Sequence, residues 1–169
     1  MKQSSVMAFC GMMAAVSIVI MLLGAAIGIG AYAAPMFAGL ILLPVGNKFG
    51  KKYHIMIWIA VSLLCLIFVP NIEQNLMYLA LFGLYPILYP SFQRLPKFWR
   101  IVCKLLYFNT VILLLEWLVM TLLVPEALTA WMAVLLLVVG NLTFLMYDFL
   151  IPRMEIVIHH YLKKLKHHK

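Results

Sequence analysis

Apolar residues run through this chain in six stretches, covering residues 6–23, 33–46, 53–69, 76–90, 98–123 and 129–151, and a basic tail occupies 152–169. A bilayer-crossing helix takes about 20 apolar residues. The pattern therefore predicts an all-α integral membrane protein with six transmembrane helices in one domain, 1–169. The polar gaps alternate in character. All 13 Lys and Arg residues fall on the N-terminal tail (Lys2), after the second stretch (Lys48, Lys51, Lys52), around the start of the fifth (Arg94, Lys97, Arg100, Lys104), or after the sixth (Arg153, Lys163, Lys164, Lys166, Lys169). The intervening gaps hold Gly24 to Gly30, Pro70 to Asn75, and Pro125-Glu126. Positive residues are retained on the cytoplasmic face during insertion, so this alternation predicts that both the N- and C-termini are cytoplasmic.

Composition agrees, because 66% of residues are apolar and the polar surface is too small to cover a water-soluble core. The formal charge of +8 sits where a cytoplasmic membrane face needs it, so the lipid bilayer is the expected partner and nucleic acid is not. Cys10, Cys65 and Cys103 lie in or at the ends of apolar runs without metal-ligand spacing, so they predict neither disulfides nor a metal site. The first stretch is long for a cleaved signal and reads as a retained helix. Gly46-Asn-Lys-Phe-Gly-Lys-Lys52 lacks the spacing and the hydroxyl residue of a phosphate loop.

Local signals refine this picture. The Gly- and Ala-rich segment from Gly24 to Pro35 is loose enough to form either an outer lid or a simple connection. Pro86 and Pro90 predict an irregular inner end for the fourth helix, and Pro152 frees the carbonyl of Asp148. On the first helix Ala8, Gly11 and Ala15 form a small-residue stripe that lets another helix approach closely, from within the bundle or from a partner.

Acidic groups inside a membrane require a partner, a proton or a purpose. Glu116 and Asp148 each have an Asn seven residues before them on the same helix face, Asn109 and Asn141. At about 1.5 Å of rise per residue, Glu116 falls roughly 6 Å outside the midplane, Asn141 near it and Asn109 about 4 Å inside it, so the three are placed to line one cavity. The same arithmetic sets Asp148 level with Lys104, which predicts a structural ion pair. Among aromatic residues of the outer half, Tyr32, Tyr78, Trp117 and Trp131 suit either stacking on a flat ligand or an interfacial belt. His159, His160, His167 and His168 are scattered among lysines and read as solvated.

The Ala8-Gly11-Ala15 stripe, Ala34-Pro-Met-Phe-Ala-Gly-Leu-Ile-Leu-Leu-Pro-Val45, Phe82-Gly-Leu-Tyr-Pro-Ile-Leu88 and Asn141-Leu-Thr-Phe-Leu-Met-Tyr-Asp148 with its basic tail together resemble the substrate-binding S component of energy-coupling factor (ECF) transporters, in a bacterial subgroup. The resemblance covers nearly the whole chain. It implies an S-component-like bundle in the bacterial plasma membrane that captures a vitamin or related micronutrient from outside. It also implies a transmembrane scaffold subunit and two cytoplasmic ATPase subunits as partners, with no ATPase activity in this chain. The family's docking pattern is Ala-x-x-x-Ala, and the nearest match here is Gly11-x-x-x-Ala15.

The residues themselves carry no Walker motif and no nucleophile with a base, so no enzyme activity and no cofactor are expected. The expected substrate-binding set is Tyr32, Tyr78, Asn109, Glu116, Trp117 and Asn141, with Ala8, Gly11 and Ala15 for partner docking. The alternative reading is a small membrane adaptor or assembly protein with no transported ligand. An ion-coupled carrier using Glu116 and Asp148 is weaker, because no inverted repeat is visible.

Overall fold

The structure, a computed structural model, describes the backbone of residues 3–27, 33–122 and 130–167, and their side chains except at 120, 122, 130–136, 159 and 161–167. Among these residues the chain is helical, without strands: α1 (Gln3–Ile27), α2 (Ala33–Phe49), α3 (Lys51–Phe68), α4 (Ile72–Met77), a π-helical turn (Tyr78–Phe82), α5 (Tyr85–Phe92), α6 (Lys97–Leu122) and α7 (Ala130–His167). Four helices are long and apolar enough to cross a membrane, and α2 is a shorter apolar helix. Outward-facing Met7, Ile67, Leu106 and Leu142 are each more than 60% exposed, an exterior that suits hydrocarbon.

Contacts between neighbours show the helices running in alternate directions. Phe9 meets Phe49 and Ser17 meets Ala38 across α1 and α2. Lys104 meets Asp148 and Asn109 meets Asn141 across α6 and α7. Gly50, at φ 96°, makes the reversal from α2 to α3, a backbone conformation that side chains with a Cβ rarely adopt. The described Lys and Arg side chains thus gather towards one end, here the basic end.

The fourth crossing departs from the single helix expected over 76–90. It begins earlier, at Ile72, where Asn71 Oδ1 accepts from the Gln74 backbone N–H at 3.1 Å and caps α4. It then opens into the π turn, where the Gly83 N–H reaches back five residues to the Tyr78 carbonyl at 2.7 Å. Proline explains part of the break. Pro86 has no N–H for the Phe82 carbonyl, which instead accepts from the Tyr147 hydroxyl at 2.7 Å. The Tyr107 hydroxyl donates to the Ala80 carbonyl at 2.5 Å. Tyrosines on α6 and α7 thus satisfy carbonyls in and beside the irregular turn, the condition under which broken backbone is tolerated away from water.

The surrounding helices close on this turn. A Cβ on Gly39 of α2 would collide with the Phe82 carbonyl oxygen and lie 2.7 Å from the Tyr147 hydroxyl, so only glycine lets α2 approach. Gly83 is covered by the Trp58 ring of α3. Two buried clusters flank the broken crossing. One packs Leu40, Phe82, Tyr85, Phe108, Phe144 and Tyr147, and the other packs Met21, Ala38, Val61, Cys65, Val69 and Tyr78. Helix α7 continues through Pro152 to His167, so the segment expected as a tail is helical over most of its length. Its 38 residues span about 57 Å, well beyond a hydrocarbon core of about 30 Å.

Candidate functional site

Buried polar atoms are normally hydrogen-bonded, because leaving one unpaired in an apolar interior costs on the order of 1–3 kcal/mol. Five buried side-chain atoms without a protein partner belong to α3 and the broken crossing that packs along it: Trp58 Nε1, Ser62 Oγ, Gln74 Oε1, Asn75 Oδ1 and Tyr78 OH. They come from residues 58–62 on α3 and from residues 74–78 on α4 and the π turn. The Trp58 ring edge and the Tyr78 carbonyl both crowd the position a Cβ would take on Gly83, while Asn75 bonds to Val69 just past the end of α3. From Asn75 to Gly83 the crossing extends roughly 12 Å at helical rise.

The orientation of the two amides is set by the backbone. Gln74 Nε2 donates to the Met21 carbonyl at 2.7 Å, and Asn75 Nδ2 donates to the Val69 carbonyl at 2.9 Å. A carbonyl oxygen only accepts, so the amide nitrogens must face it and both side-chain oxygens remain as acceptors. The five atoms are therefore two carbonyl acceptors, two hydroxyls that accept or donate, and one indole donor. Gln74, Asn75 and Tyr78 are each no more than 2% exposed.

Charge sharpens the picture. At the end of the bundle away from the lysines, half-buried Glu73 and Glu116 lie within electrostatic reach of each other. No Lys, Arg or His occurs between residues 3 and 47, 55 and 93, or 105 and 152, so among the described residues that end carries no basic side chain.

The other expected polar residues form two separate structures. Asn109 and Asn141 bond reciprocally across α6 and α7, in a different seam from Tyr78. Nearer the basic end, Lys104 Nζ lies 2.6 Å from Asp148 Oδ1, which also accepts from the Tyr85 hydroxyl. The Lys104 ammonium sits 4.6 Å from the centroid of the Tyr89 ring, and Tyr85 stacks on Phe92 and Tyr107. A buried cation with a carboxylate and an aromatic face is satisfied where it stands, which makes this cluster a brace between α5, α6 and α7.

Of the remaining expected positions, Tyr32 lies outside the described residues, as does the centre of the Gly- and Ala-rich lid, residues 28–32. The Trp131 side chain is also outside them. Trp117 is 66% exposed and belongs to the exterior rather than to the enclosed polar set. Ala8, Gly11 and Ala15 are all exposed, and a Cβ on Gly11 would meet nothing within 4 Å. The stripe thus lies on an exposed face of α1 among the described residues.

Trp58, Ser62, Gln74 and Asn75 escape a reading of the sequence for different reasons. The first two sit inside an apolar run, and the second two follow Pro70-Asn71 and read as an external loop. Tyr85 and Tyr89 do leave a signal, the repeated Leu-Tyr-Pro at 84–86 and 88–90, which places two tyrosines four residues apart on one helix face. No protein family, curated protein or solved structure matches the chain.

Proposed function

We propose that the chain is the substrate-capture subunit of an ATP-driven importer of the ECF type, set in the bacterial plasma membrane with both termini cytoplasmic. The observation that carries this reading is the set of five buried polar atoms without protein partners on α3 and the broken crossing. Interiors of this kind are costly to maintain for packing alone and are matched by a ligand that supplies the missing hydrogen bonds. In this reading Trp58, Ser62, Gln74, Asn75 and Tyr78 hold the substrate, Glu116 faces its approach, and the Asn109–Asn141 and Lys104–Asp148 pairs brace the helices around it. The uncovered face at Ala8, Gly11 and Ala15 suits close packing against a transmembrane scaffold, which two cytoplasmic ATPases would drive.

That same face suits a membrane adaptor, the rival reading, but an adaptor gives no account of these buried polar atoms. Native mass spectrometry of the protein gently purified from its own host separates them. Capture predicts a retained small molecule together with a scaffold and ATPase subunits. A protein free of small molecules and attached to unrelated membrane partners overturns it in favour of the adaptor.

A further inference from the structure

We propose that the last turns of α7, residues 156–167, form a docking helix that seats in an apolar groove with an acidic rim on a water-soluble protein at the basic end of the bundle. The proposal goes beyond the capture reading and does not depend on it.

Helix register fixes how far α7 projects. Across antiparallel α6 and α7, Lys104 meets Asp148, Phe108 stacks on Phe144 with ring centroids 4.6 Å apart, and Asn109 meets Asn141. Extending that register to Lys97, the first residue of α6, reaches about residue 155 of α7. Helices α5 and α2 run parallel to α7 and end at the same level. Tyr85 of α5 meets Asp148, which sets the last residue, Phe92, beside about residue 155. Gly39 of α2 meets Tyr147, which sets Phe49 beside about residue 157. Helix α7 nevertheless continues to His167, so its backbone rises about 18 Å past the ends of the three helices it packs against.

The core line of α7 carries on into this projection. Phe144, Tyr147, Ile151 and Ile158 are buried in one cluster. Tyr161, Leu162 and Leu165 follow Ile158 by three, four and seven residues, which places them on the same line of the helix at a level where α2, α5 and α6 have ended. Lys163, Lys164 and Lys166 fall on the remaining circumference with three histidines, and no acidic residue follows Glu155.

Anchors at i, i+3, i+4 and i+7 are the pattern of a helix that lies in a groove of another protein. Lysines flanking the stripe match an acidic rim, which speeds encounter and fixes register. An anionic bilayer also attracts basic amphipathic helices, but those lie in the plane of the interface. Residues 156–167 instead continue a single helix with the membrane-crossing part of α7. Exposed Phe98 and Trp99, at the start of α6, are residues of the kind that sit at the interface. Lys163, Lys164 and Lys166 stand about 12–17 Å beyond that level, farther than the Debye length of about 8 Å. A second copy of the chain would set lysine against lysine.

The test places a photo-crosslinking amino acid at Leu162 or at Leu165 of the full chain in host cells. Both positions are expected to label the same soluble protein. That protein is then purified, and its affinity for the full chain in phosphatidylcholine nanodiscs is measured as salt is raised. Affinity is expected to fall with salt, and to fall at least about tenfold for Lys163→Glu/Lys164→Glu and for Leu162→Asp/Leu165→Asp. Adducts with phospholipid alone overturn the proposal in favour of the bilayer, and adducts with the chain itself in favour of a second copy. No protein adduct at either position, or a labelled protein whose affinity ignores both double variants, also overturns it. Both variants are expected to unfold at the temperature of the parent. A less stable Leu162→Asp/Leu165→Asp protein would mean that the stripe packs within its own chain, and the docking helix would be excluded.

Discussion

Asn109 and Asn141 clasp each other across α6 and α7. Each Nδ2 donates to the partner's Oδ1, at 3.0 and 2.9 Å, and also to the carbonyl four residues earlier, Leu105 at 2.9 Å and Leu137 at 2.8 Å. All four amide hydrogens are therefore used within the protein, and the pair forms an interhelical clasp. Asn109→Leu should destabilise the protein by about 1–2 kcal/mol, because it leaves Asn141 half-matched. The Asn109→Leu/Asn141→Leu double variant should lose less than the sum of the two single changes, with a coupling of about 0.6–1.7 kcal/mol. Thermal unfolding in detergent measures both, and ligand retention should be unchanged. Additive losses would dissolve the clasp.

Lys104 and Asp148 form a more demanding pair, with side chains 8% and 25% exposed. Removing one partner of a buried pair strands the other, so Lys104→Met should cost about 3–5 kcal/mol, whereas replacing both in Lys104→Met/Asp148→Leu should be close to neutral. Tyr85→Phe should cost about 1.5–3 kcal/mol, since its hydroxyl donates to the same carboxylate. Midpoints of thermal or denaturant unfolding rank the three variants. A single variant as stable as the double one would contradict the brace.

Glycines at positions 39 and 11 should respond in opposite ways. Gly39→Ala drives a methyl group into the Phe82 carbonyl and the Tyr147 hydroxyl that satisfies it, which should destabilise by about 1–3 kcal/mol. Gly11→Leu meets open space and replaces a weak helix former, so the isolated protein should be unchanged or more stable by about 0.5–1 kcal/mol. On the capture reading, that same variant should lose its association with the scaffold while ligand retention persists. Affinity purification followed by subunit quantification tests this, and a complex recovered at full yield would exclude the face around Gly11 from docking.

Glu116→Gln removes one of the two neighbouring acidic groups, Glu73 and Glu116, at the end away from the lysines while preserving shape. If the retained ligand is a cation, its occupancy should fall by about tenfold, equivalent to roughly 1.4 kcal/mol, with the melting temperature of the ligand-free protein within about 2 °C of the parent. A neutral ligand should be held as before. Loss of a neutral ligand would mean that Glu116 acts through a hydrogen bond instead of through charge.

Much of the helical framework is legible from the apolar stretches, and the level of Lys104 relative to Asp148 follows from helical rise alone. The fourth crossing is not legible in the same way. Its break depends on Pro86 withholding a donor, on Gly39 and Gly83 letting neighbours close in, and on tyrosines 27 and 65 residues away supplying hydroxyls to the Ala80 and Phe82 carbonyls. Gln74 and Asn75 read as loop residues because polarity beside Pro70 is the ordinary mark of a connection, yet both are buried against α1 and the end of α3. Trp117 presents the converse case, an aromatic residue eligible for a pocket that lies on the exterior.

What the sequence by itself determined is the set of long apolar helices and the segregation of basic residues, because hydrophobicity, length and charge are properties of a segment and need no neighbour. Tertiary structure alone decided which polar atoms are matched and which are left over. Asn109 and Asn141 turn to each other, while Gln74 and Asn75 spend their nitrogens on backbone carbonyls and keep their oxygens free. A hydrogen bond belongs to two groups at once, and distant parts of a chain meet only through folding.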